Sequence, residues 1–164
     1  MDYKTLTKAD AEGFWEMMNQ LDYETKYMLY EPGERKKNLS RIEAVIENAA
    51  NGENFLLTAQ ENGKIVGYLS AEKGSLRRTA HTASIVVGIL AQYRGKGIGT
   101  EFFRRLDLWA ARKKVTRLEL TVICENKAAV HLYEKSGFVI EGVKKNTMLV
   151  DGVYLDEYCM AKLL

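Results

Sequence analysis

The chain has 164 residues, of which 46% are apolar and 28% charged, so its composition is that of a folded protein and excludes a disordered chain. With a formal net charge of only +2, the chain as a whole has no strong positive electrostatic field. This argues against nucleic acid or an anionic membrane as its partner. At this length we expect a single domain that spans residues 1–164.

The amino terminus and the cysteines indicate the compartment. Asp2, Lys4 and Lys8 interrupt any apolar run at the start of the sequence, so no signal peptide is predicted. No stretch approaches the about 18 consecutive apolar residues that a membrane span needs. Cys124 and Cys159 are too few for a disulfide framework. We therefore expect a cytoplasmic protein with no membrane partner.

The first third of the sequence predicts a short strand and two amphipathic helices. The strand runs from Tyr3 to Leu6, Asp10 can cap the first helix, and the second helix ends before Asn51-Gly52. Asp22 to Arg35 holds the only proline and is rich in tyrosine and glutamate, so we interpret it as a partly ordered connection. The helices are read from the spacing of Phe14, Trp15, Met18 and Leu21 and of Ile42, Val45, Ile46 and Ala49.

Two glycine-containing turns between apolar runs predict two β-hairpins. Asn62-Gly63 separates the runs 55–59 and 65–71, and Asp151-Gly152 separates 138–148 and 153–160. Between the hairpins the pattern predicts strands at 82–89 and 118–123, a helix with Ile98, Phe102, Leu106 and Trp109 on one face, and a short helix at 127–136. With no repeat or low-complexity linker, these elements predict a single mixed α and β layer structure.

A glycine-rich turn lies between a predicted strand and the helix that follows it. Gly95, Gly97 and Gly99 alternate with Arg94, Lys96 and Ile98, and Thr100 follows. The first N–H groups of a helix have no internal partner and carry the positive end of its dipole, so this turn can hold a phosphate. An isolated pattern of this kind indicates a purely structural turn about as often.

The two best-known phosphate-binding turns do not fit the glycine-rich turn. The dinucleotide fingerprint needs glycines at its first, third and sixth places, and the sixth place here is Thr100 or Phe102. The P-loop needs Gly-Lys followed by serine or threonine, whereas Gly97 follows Lys96. The turn belongs to neither class.

Two motifs resemble the GNAT superfamily of N-acetyltransferases. Residues 94–99 match its acetyl-CoA motif, which is glutamine or arginine, two residues of any type, and then Gly-x-Gly or Gly-x-Ala. A second signature, an asparagine, an alanine three residues later, and Leu-Tyr before Gly-Phe, matches residues 126–138. The resemblance implies a central mixed, mostly antiparallel, twisted sheet of about six to seven strands flanked by about four helices. It is strongest from about 83 to 143.

The resemblance also implies which residues hold acetyl-CoA. Val87, Gly88 and Ile89 would pair with the pantetheine arm and position the acetyl carbonyl. The pyrophosphate would lie on the turn, whose residues are Arg94, Gly95, Lys96, Gly97, Ile98, Gly99 and Thr100. Asn126 would reach the cofactor from the next strand end, although an asparagine before a helix is equally typical of an N-cap.

Tyr133 is the candidate for proton transfer. Its phenol stays protonated at neutral pH, with a pKa of about 10, so that it can donate a proton to the thiolate leaving group. The sequence alone favours an aromatic core residue beside Leu132 and Phe138. Its place in the second family signature favours the catalytic role.

The general base and the acceptor are less well defined. Glu119 alternates away from Leu118 and Leu120, which is more typical of a solvated strand face, so the base stays unassigned. Cys124 lacks a neighbouring histidine, which disfavours a covalent acetyl-cysteine. The tyrosines and glutamates from Tyr23 to Glu34 occupy the place of the family's acceptor wall and suggest a cationic amine, but they are equally typical of a solvated loop.

Other functions were weighed against an N-acetyltransferase. A non-catalytic acyl-CoA-binding sensor of the same fold is the alternative, which Tyr133 and Asn126 disfavour. Nucleic-acid binding is disfavoured because the basic pairs are scattered. His81 and His131 stand far apart without a metal-ligand pattern, so no metal is expected. The expected partners are acetyl-CoA and an amine acceptor, and the resemblance is compatible with a homodimer.

Overall fold

The helices and strands follow one another in the order that the hydrophobic pattern predicts. The computed structural model describes all residues, Met1–Leu164. The strands are β1 (Asp2–Lys4), β2 (Phe55–Glu61), β3 (Lys64–Lys73), β4 (Thr82–Ile89), β5 (Arg117–Ile123), β6 (Val139–Val150) and β7 (Val153–Leu163). The helices are α1 (Ala11–Glu24), α2 (Leu39–Ala50), α3 (Ile98–Lys113) and α4 (Lys127–Lys135), with short 3-10 helices at Lys8–Asp10 and Ala91–Tyr93.

The strands form one seven-stranded sheet in the order β1-β2-β3-β4-β5-β7-β6. The pairs β1–β2, β2–β3, β5–β7 and β6–β7 are antiparallel, whereas β4 and β5 are parallel through residues 82–84 and 117–119. A sheet with both kinds of pairing and four α-helices confirms the predicted mixed α+β fold class with a mostly antiparallel sheet.

Two tight turns with left-handed backbone close the hairpins. Asn62 and Gly63 have φ angles of 52° and 77°, and Asp151 and Gly152 have φ angles of 50° and 77°. Two successive residues with positive φ characterise the turn that matches the twist of paired strands, and Asn-Gly and Asp-Gly adopt it at least cost. Both predicted hairpins are confirmed.

The chain divides into two compact units, of which the first is Met1–Glu72 with Val86–Leu106. Here α1 and α2 present apolar faces to a core that includes side chains of β2 and β3. Phe14 of α1 and Tyr68 of β3 meet edge to face with ring centres 5.2 Å apart. The buried members of this core are Leu6, Ala11, Phe14, Met17, Leu21, Ile46, Leu56, Ile65, Tyr68 and Leu90.

The second unit consists of Lys73–Ile85 and Asp107–Leu164. Strand β5 alternates within it: Leu118, Leu120 and Val122 are buried, and Arg117 and Glu119 are only half-buried. Lys162 of β7 donates to both carboxylate oxygens of Asp107 in α3, at 2.9 and 2.7 Å. The single domain expected from the length stays a prediction.

The first helix differs in detail from its prediction. Asp10 occupies the N-cap of α1, but its carboxylate accepts the backbone N–H and the hydroxyl of Thr7, each at 2.8 Å, and accepts no backbone N–H of α1. Strand β1 ends at Lys4 rather than at Leu6, which is nevertheless buried. In the second helix Val45 is exposed, because the buried face of α2 is centred on Ile46.

A buried ion pair holds the connection after α1 in place. The Asp22 side chain is 0% exposed and that of Arg35 is 14% exposed. Arg35 Nε and a terminal guanidinium nitrogen donate to the two carboxylate oxygens at 2.5 and 3.0 Å. The guanidinium also lies 4.3 Å from the centre of the Tyr30 ring. The segment between α1 and α2 is therefore anchored although it contains neither helix nor strand.

We expect Arg35→Met to lower the free energy of unfolding by about 3–5 kcal/mol, because it leaves the Asp22 carboxylate buried without its partner. Denaturant unfolding measures the change. Lys8→Met is the matched control, since Lys8 and Glu47 form an exposed pair of this unit whose loss should change stability by less than about 1 kcal/mol. Equal effects of the two substitutions would contradict the importance of the buried pair.

Candidate functional site

The end of β4 is packed so closely that only glycine fits there. A Cβ on Gly88 would lie 2.4 Å from Leu21 Cδ2 and 3.0 Å from Tyr68 Cε1. On the neighbouring strand β3, a Cβ on Gly67 would lie 3.1 Å from the Gly88 carbonyl oxygen. The backbone of β4 is therefore pressed against α1 and β3. Of the predicted pantetheine-binding residues, Gly88 is buried and Val87 and Ile89 are half-buried.

The glycine-rich turn that follows is open to solvent. Gly95 and Gly97 have φ angles of 73° and 81°, a backbone conformation that side chains disfavour. A Cβ at either position would have no atom within 4 Å, so the glycines are required by the backbone and not by neighbouring atoms. The surface of the turn is free to receive a ligand. Ile98 and Gly99 are buried below it, and Thr100 is exposed.

Helix α3 begins with N–H groups directed out of the helix. Its first backbone bond runs from the Glu101 N–H to the Gly97 carbonyl at 3.1 Å. The N–H groups of Ile98, Gly99 and Thr100 precede that bond and so have no acceptor within the helix. Together with the positive end of the dipole they form a site for an anion.

Charged side chains surround the start of α3. Lys96 Nζ lies 4.8 Å from the centre of the Tyr93 ring, on the turn itself. The one acidic residue of the first helical turn, Glu101, is held by Arg104 and Arg105, each at 2.7 Å. Hydrogen bonds from Arg104 and Arg105 lower the pKa of Glu101 to about 2. The two arginines offset the negative charge of Glu101, which therefore repels a bound phosphate less than an unpaired carboxylate would.

Two polar contacts fix the segment between β4 and the turn. Arg94 Nε donates to the Ile89 carbonyl oxygen at 3.0 Å, so this predicted phosphate-binding residue also braces the loop. The Glu24 carboxylate of α1 accepts the Ala91 N–H at 2.7 Å. Glu24 was not singled out by the sequence, because nothing in its local pattern indicates a contact 67 residues away.

In the second unit, Asn126 caps helix α4. Its side-chain oxygen accepts the Ala129 N–H at 3.3 Å, and its backbone carbonyl accepts the Val130 N–H at 3.0 Å. The N-cap role that the sequence offered for Asn126 is thereby confirmed. Its role in binding the cofactor stays a prediction.

Tyr133 lies on the buried face of α4. Its ring is 7% exposed and packs at a tilted angle against Phe138, with ring centres 6.2 Å apart. This is the packing that the sequence indicated beside Phe138. The role of Tyr133 in proton transfer stays a prediction.

Two other candidates of the second unit, Glu119 and Cys124, are placed as follows. Glu119 Oε2 accepts from Arg117 Nε at 2.8 Å, so its carboxylate serves an ion pair, and the Glu141 carboxylate accepts from the same arginine. Burial raises the pKa of the Cys124 thiol, with Glu125 and Asp156 adding to the effect. A raised pKa disfavours the nucleophilic thiolate.

The predicted cofactor residues fall into two groups. All those from Val87 to Thr100 lie on one continuous segment of the first unit, whereas Asn126 and Tyr133 belong to the second. His81 and His131 are exposed. No group of three or more histidine, cysteine, aspartate or glutamate side chains is close enough to hold a metal ion. None of the helices has the length and apolar composition of a membrane span.

Residues 15–138 match the Acetyltransferase (GNAT) family. The L-amino acid N-acetyltransferase AaaT of Escherichia coli K12 is 32% identical over 111 residues, which are 65% of this chain and 67% of that protein. The crystal structure of a GNAT-family acetyltransferase from Streptococcus pneumoniae has a TM-score of 0.93 at 28% identity, covering 99% of this chain and 98% of that one. The structure of yncA from Salmonella typhimurium with its cofactor acetyl-CoA has the same fold, with a TM-score of 0.87 at 23% identity over 100% of this chain and 94% of that one.

The family match includes both the glycine-rich turn and the segment from Asn126 to Phe138, the two motifs that first suggested the resemblance. This chain therefore belongs to the acetyltransferase (GNAT) family.

Proposed function

We propose that this chain is an N-acetyltransferase that transfers the acetyl group of acetyl-CoA to a primary amine of a small molecule or a protein amino terminus. The observation that carries the proposal is the open glycine-rich turn at the start of α3, where three N–H groups precede the first helical bond. The family match spans residues of both units, which supports one catalytic domain over residues 1–164.

The residues at the end of β4 and on the turn fit acetyl-CoA. The N–H groups of the turn and the Lys96 ammonium would hold the pyrophosphate, since open space lies above Gly95 and Gly97. Val87, Gly88 and Ile89 would hold the pantetheine arm, and Asn126 is a further proposed contact of the cofactor. Acetyl-CoA supplies the activated thioester. The co-substrate named with yncA supports this assignment.

The reaction is direct attack in a ternary complex. The amine nitrogen forms a bond to the acetyl carbon, the carbon–sulfur bond breaks, and the leaving thiolate receives a proton. Tyr133 is the proposed donor of that proton. Removing a proton from an ammonium with a pKa near 10.4 costs roughly 4–5 kcal/mol at pH 7, against about 1 kcal/mol for an α-ammonium. The enzyme's task therefore includes deprotonation as well as orientation.

The acceptor is proposed to be a cationic amine. The connection after α1 carries several tyrosines and glutamates, and its anchor is the Asp22–Arg35 pair. AaaT is named for acetylating L-amino acids, which are primary amines at their α position. A screen of primary amines with acetyl-CoA, monitored by thiol release, tests the proposal. Acetyl-CoA binding without thiol release for any amine would instead support the non-catalytic sensor.

An exposed apolar surface on the β6–β7 hairpin supports a homodimer. Strand β6 is the last strand of the sheet, and Val139, Val143, Val153 and Tyr154 expose half or more of their area. Exposed apolar side chains along an edge hairpin are candidates for contact with a second copy of the chain. The cytoplasm is the proposed compartment, as the two unpaired cysteines are compatible with a reducing environment.

We expect Gly97→Ala to weaken acetyl-CoA binding about tenfold, because alanine at a φ of 81° costs roughly 1–2 kcal/mol and distorts the turn. Titration calorimetry with CoA measures the affinity. Gly152→Ala is the matched control, since Gly152 has a φ of 77° with equally open surroundings and lies in the turn between β6 and β7. Unchanged CoA affinity of Gly97→Ala would remove the turn from the cofactor site.

We expect Tyr133→Phe to lower kcat by a factor of about 10² or more while the affinity for acetyl-CoA changes little, because only the proton donor is removed. Steady-state kinetics with varied acetyl-CoA measures both quantities. Tyr154→Phe, at a tyrosine that is 63% exposed, should leave both unchanged. Full turnover of Tyr133→Phe would assign Tyr133 to the core alone.

We expect Val143→Asp to convert a dimer of this 18.6 kDa chain into monomers, because the charge would be buried in the apolar interface. Light scattering coupled to size exclusion measures the mass. Val45→Asp, at a similarly exposed valine on α2, should leave the dimer intact. A wild-type protein that elutes as a monomer would contradict the proposed interface.

A further inference from the structure

The last residue of α1 brings a carboxylate to the end of β4. Glu24 Oε2 accepts the Ala91 N–H at 2.7 Å, and Ala91 follows the carboxyl end of β4 by two residues. Gln20 Nε2 donates to the other oxygen, also at 2.7 Å. Glu24 is half-buried and held at both oxygens. Both donors are neutral amides, so neither cancels the negative charge.

This position is unfavourable for a residue whose role is only to stabilise α1. A negative charge in the last turn of a helix meets the negative end of its dipole, which costs roughly 0.3–1 kcal/mol. The bond to Ala91 needs only an oxygen acceptor, which a neutral glutamine also supplies. Two other carboxylates of the first unit pair with cations: Asp22 with Arg35, and Glu101 with Arg104.

Resting on the proposed function, we propose that Glu24 binds the acceptor ammonium and takes its proton before attack. The proton passes from the ammonium nitrogen to the carboxylate and from there to solvent. The neutral amine then forms the nitrogen–carbon bond as the carbon–sulfur bond breaks, and the second proton lost by nitrogen ends on the CoA sulfur. The substrate class is a primary amine that is cationic at neutral pH, and its ammonium replaces the charge partner that the two neutral donors do not provide.

The surroundings of Glu24 contain other ionisable groups, which the pH dependence must take into account. Burial raises the pKa of Tyr68 to about 12, and burial followed by the Glu61 charge and hydrogen bond raises that of Tyr93. The positive charge of Arg35 offsets the negative charge of Asp22, and Arg94 donates a hydrogen bond to the Ile89 carbonyl oxygen. The charged or ionisable side chains of these segments are Asp22, Tyr23, Lys26, Arg35, Glu61, Tyr68, Tyr93 and Arg94.

The test is Glu24→Gln, which keeps an oxygen for the Ala91 N–H and removes the charge. With Nα-acetyl-lysine as acceptor, we expect kcat/KM at pH 7 to fall by about 10²–10⁴. The deficit should shrink as the pH rises toward about 10.4, where the ε-amine loses its proton without a base. It should also be smaller with phenylalanine amide, whose α-amine has a pKa nearer about 8. Acetyl-CoA affinity and melting temperature should stay those of the wild type.

Glu16→Gln, at an exposed glutamate two turns earlier on α1, is the matched control and should leave kcat/KM and its pH profile unchanged. If the loss of kcat/KM in Glu24→Gln does not depend on pH, or is accompanied by loss of acetyl-CoA affinity, Glu24 only connects α1 to the end of β4 and is not the base. Wild-type rates in Glu24→Gln would overturn this proposal and leave the proposed function standing. A wild-type protein that acetylates no amine would overturn both.

Discussion

The first unit depends on the close approach of the last turn of α1 to the backbone of β4. Leu21 Cδ2 occupies the space that a side chain on Gly88 would need. On either side of this contact, Asp22 is bonded to Arg35 and Glu24 is bonded to Ala91. One apolar contact and one charge-assisted hydrogen bond therefore hold Leu21 and Glu24 of α1 against β4 and its extension, and the buried ion pair ties Asp22 to the connection after α1.

This arrangement explains how a surface turn can hold a ligand in a defined position. No atom lies within 4 Å of a Cβ placed on Gly95 or Gly97, and the glycines leave the turn conformationally free in the unfolded chain. Its order comes from its two ends. Arg94 ties the preceding segment to β4, and the bond from Glu101 to Gly97 starts α3, whose Ile98 and Phe102 are buried. The N–H groups between these anchors are presented without an acceptor of their own.

The proposed reaction needs two proton transfers. The amine must lose a proton to a base, and the thiolate must gain one from an acid. Glu24, fixed by neutral donors, suits the first task, and Tyr133, fixed by packing against Phe138, suits the second. Glu119 and Cys124 suit neither, because Glu119 is engaged with Arg117 and burial raises the pKa of the Cys124 thiol. With the proposed base and the proposed acid on separate elements, the pKa of each would be set by its own surroundings.

The sequence by itself determined the order of the elements, both hairpin turns, the mixed α+β class and the glycine-rich turn, because these follow from local properties: hydrophobic period, positive φ at glycine and asparagine, and the missing partners of a helix start. Only the tertiary structure decided that Leu21 lies against Gly88, that Asp22 meets Arg35 through a segment without regular structure, and that the Glu24 carboxylate reaches Ala91. Such contacts join residues far apart in the chain. Which residues meet is decided by the packing of the folded chain, so no periodic pattern or fixed spacing in the sequence predicts the contact.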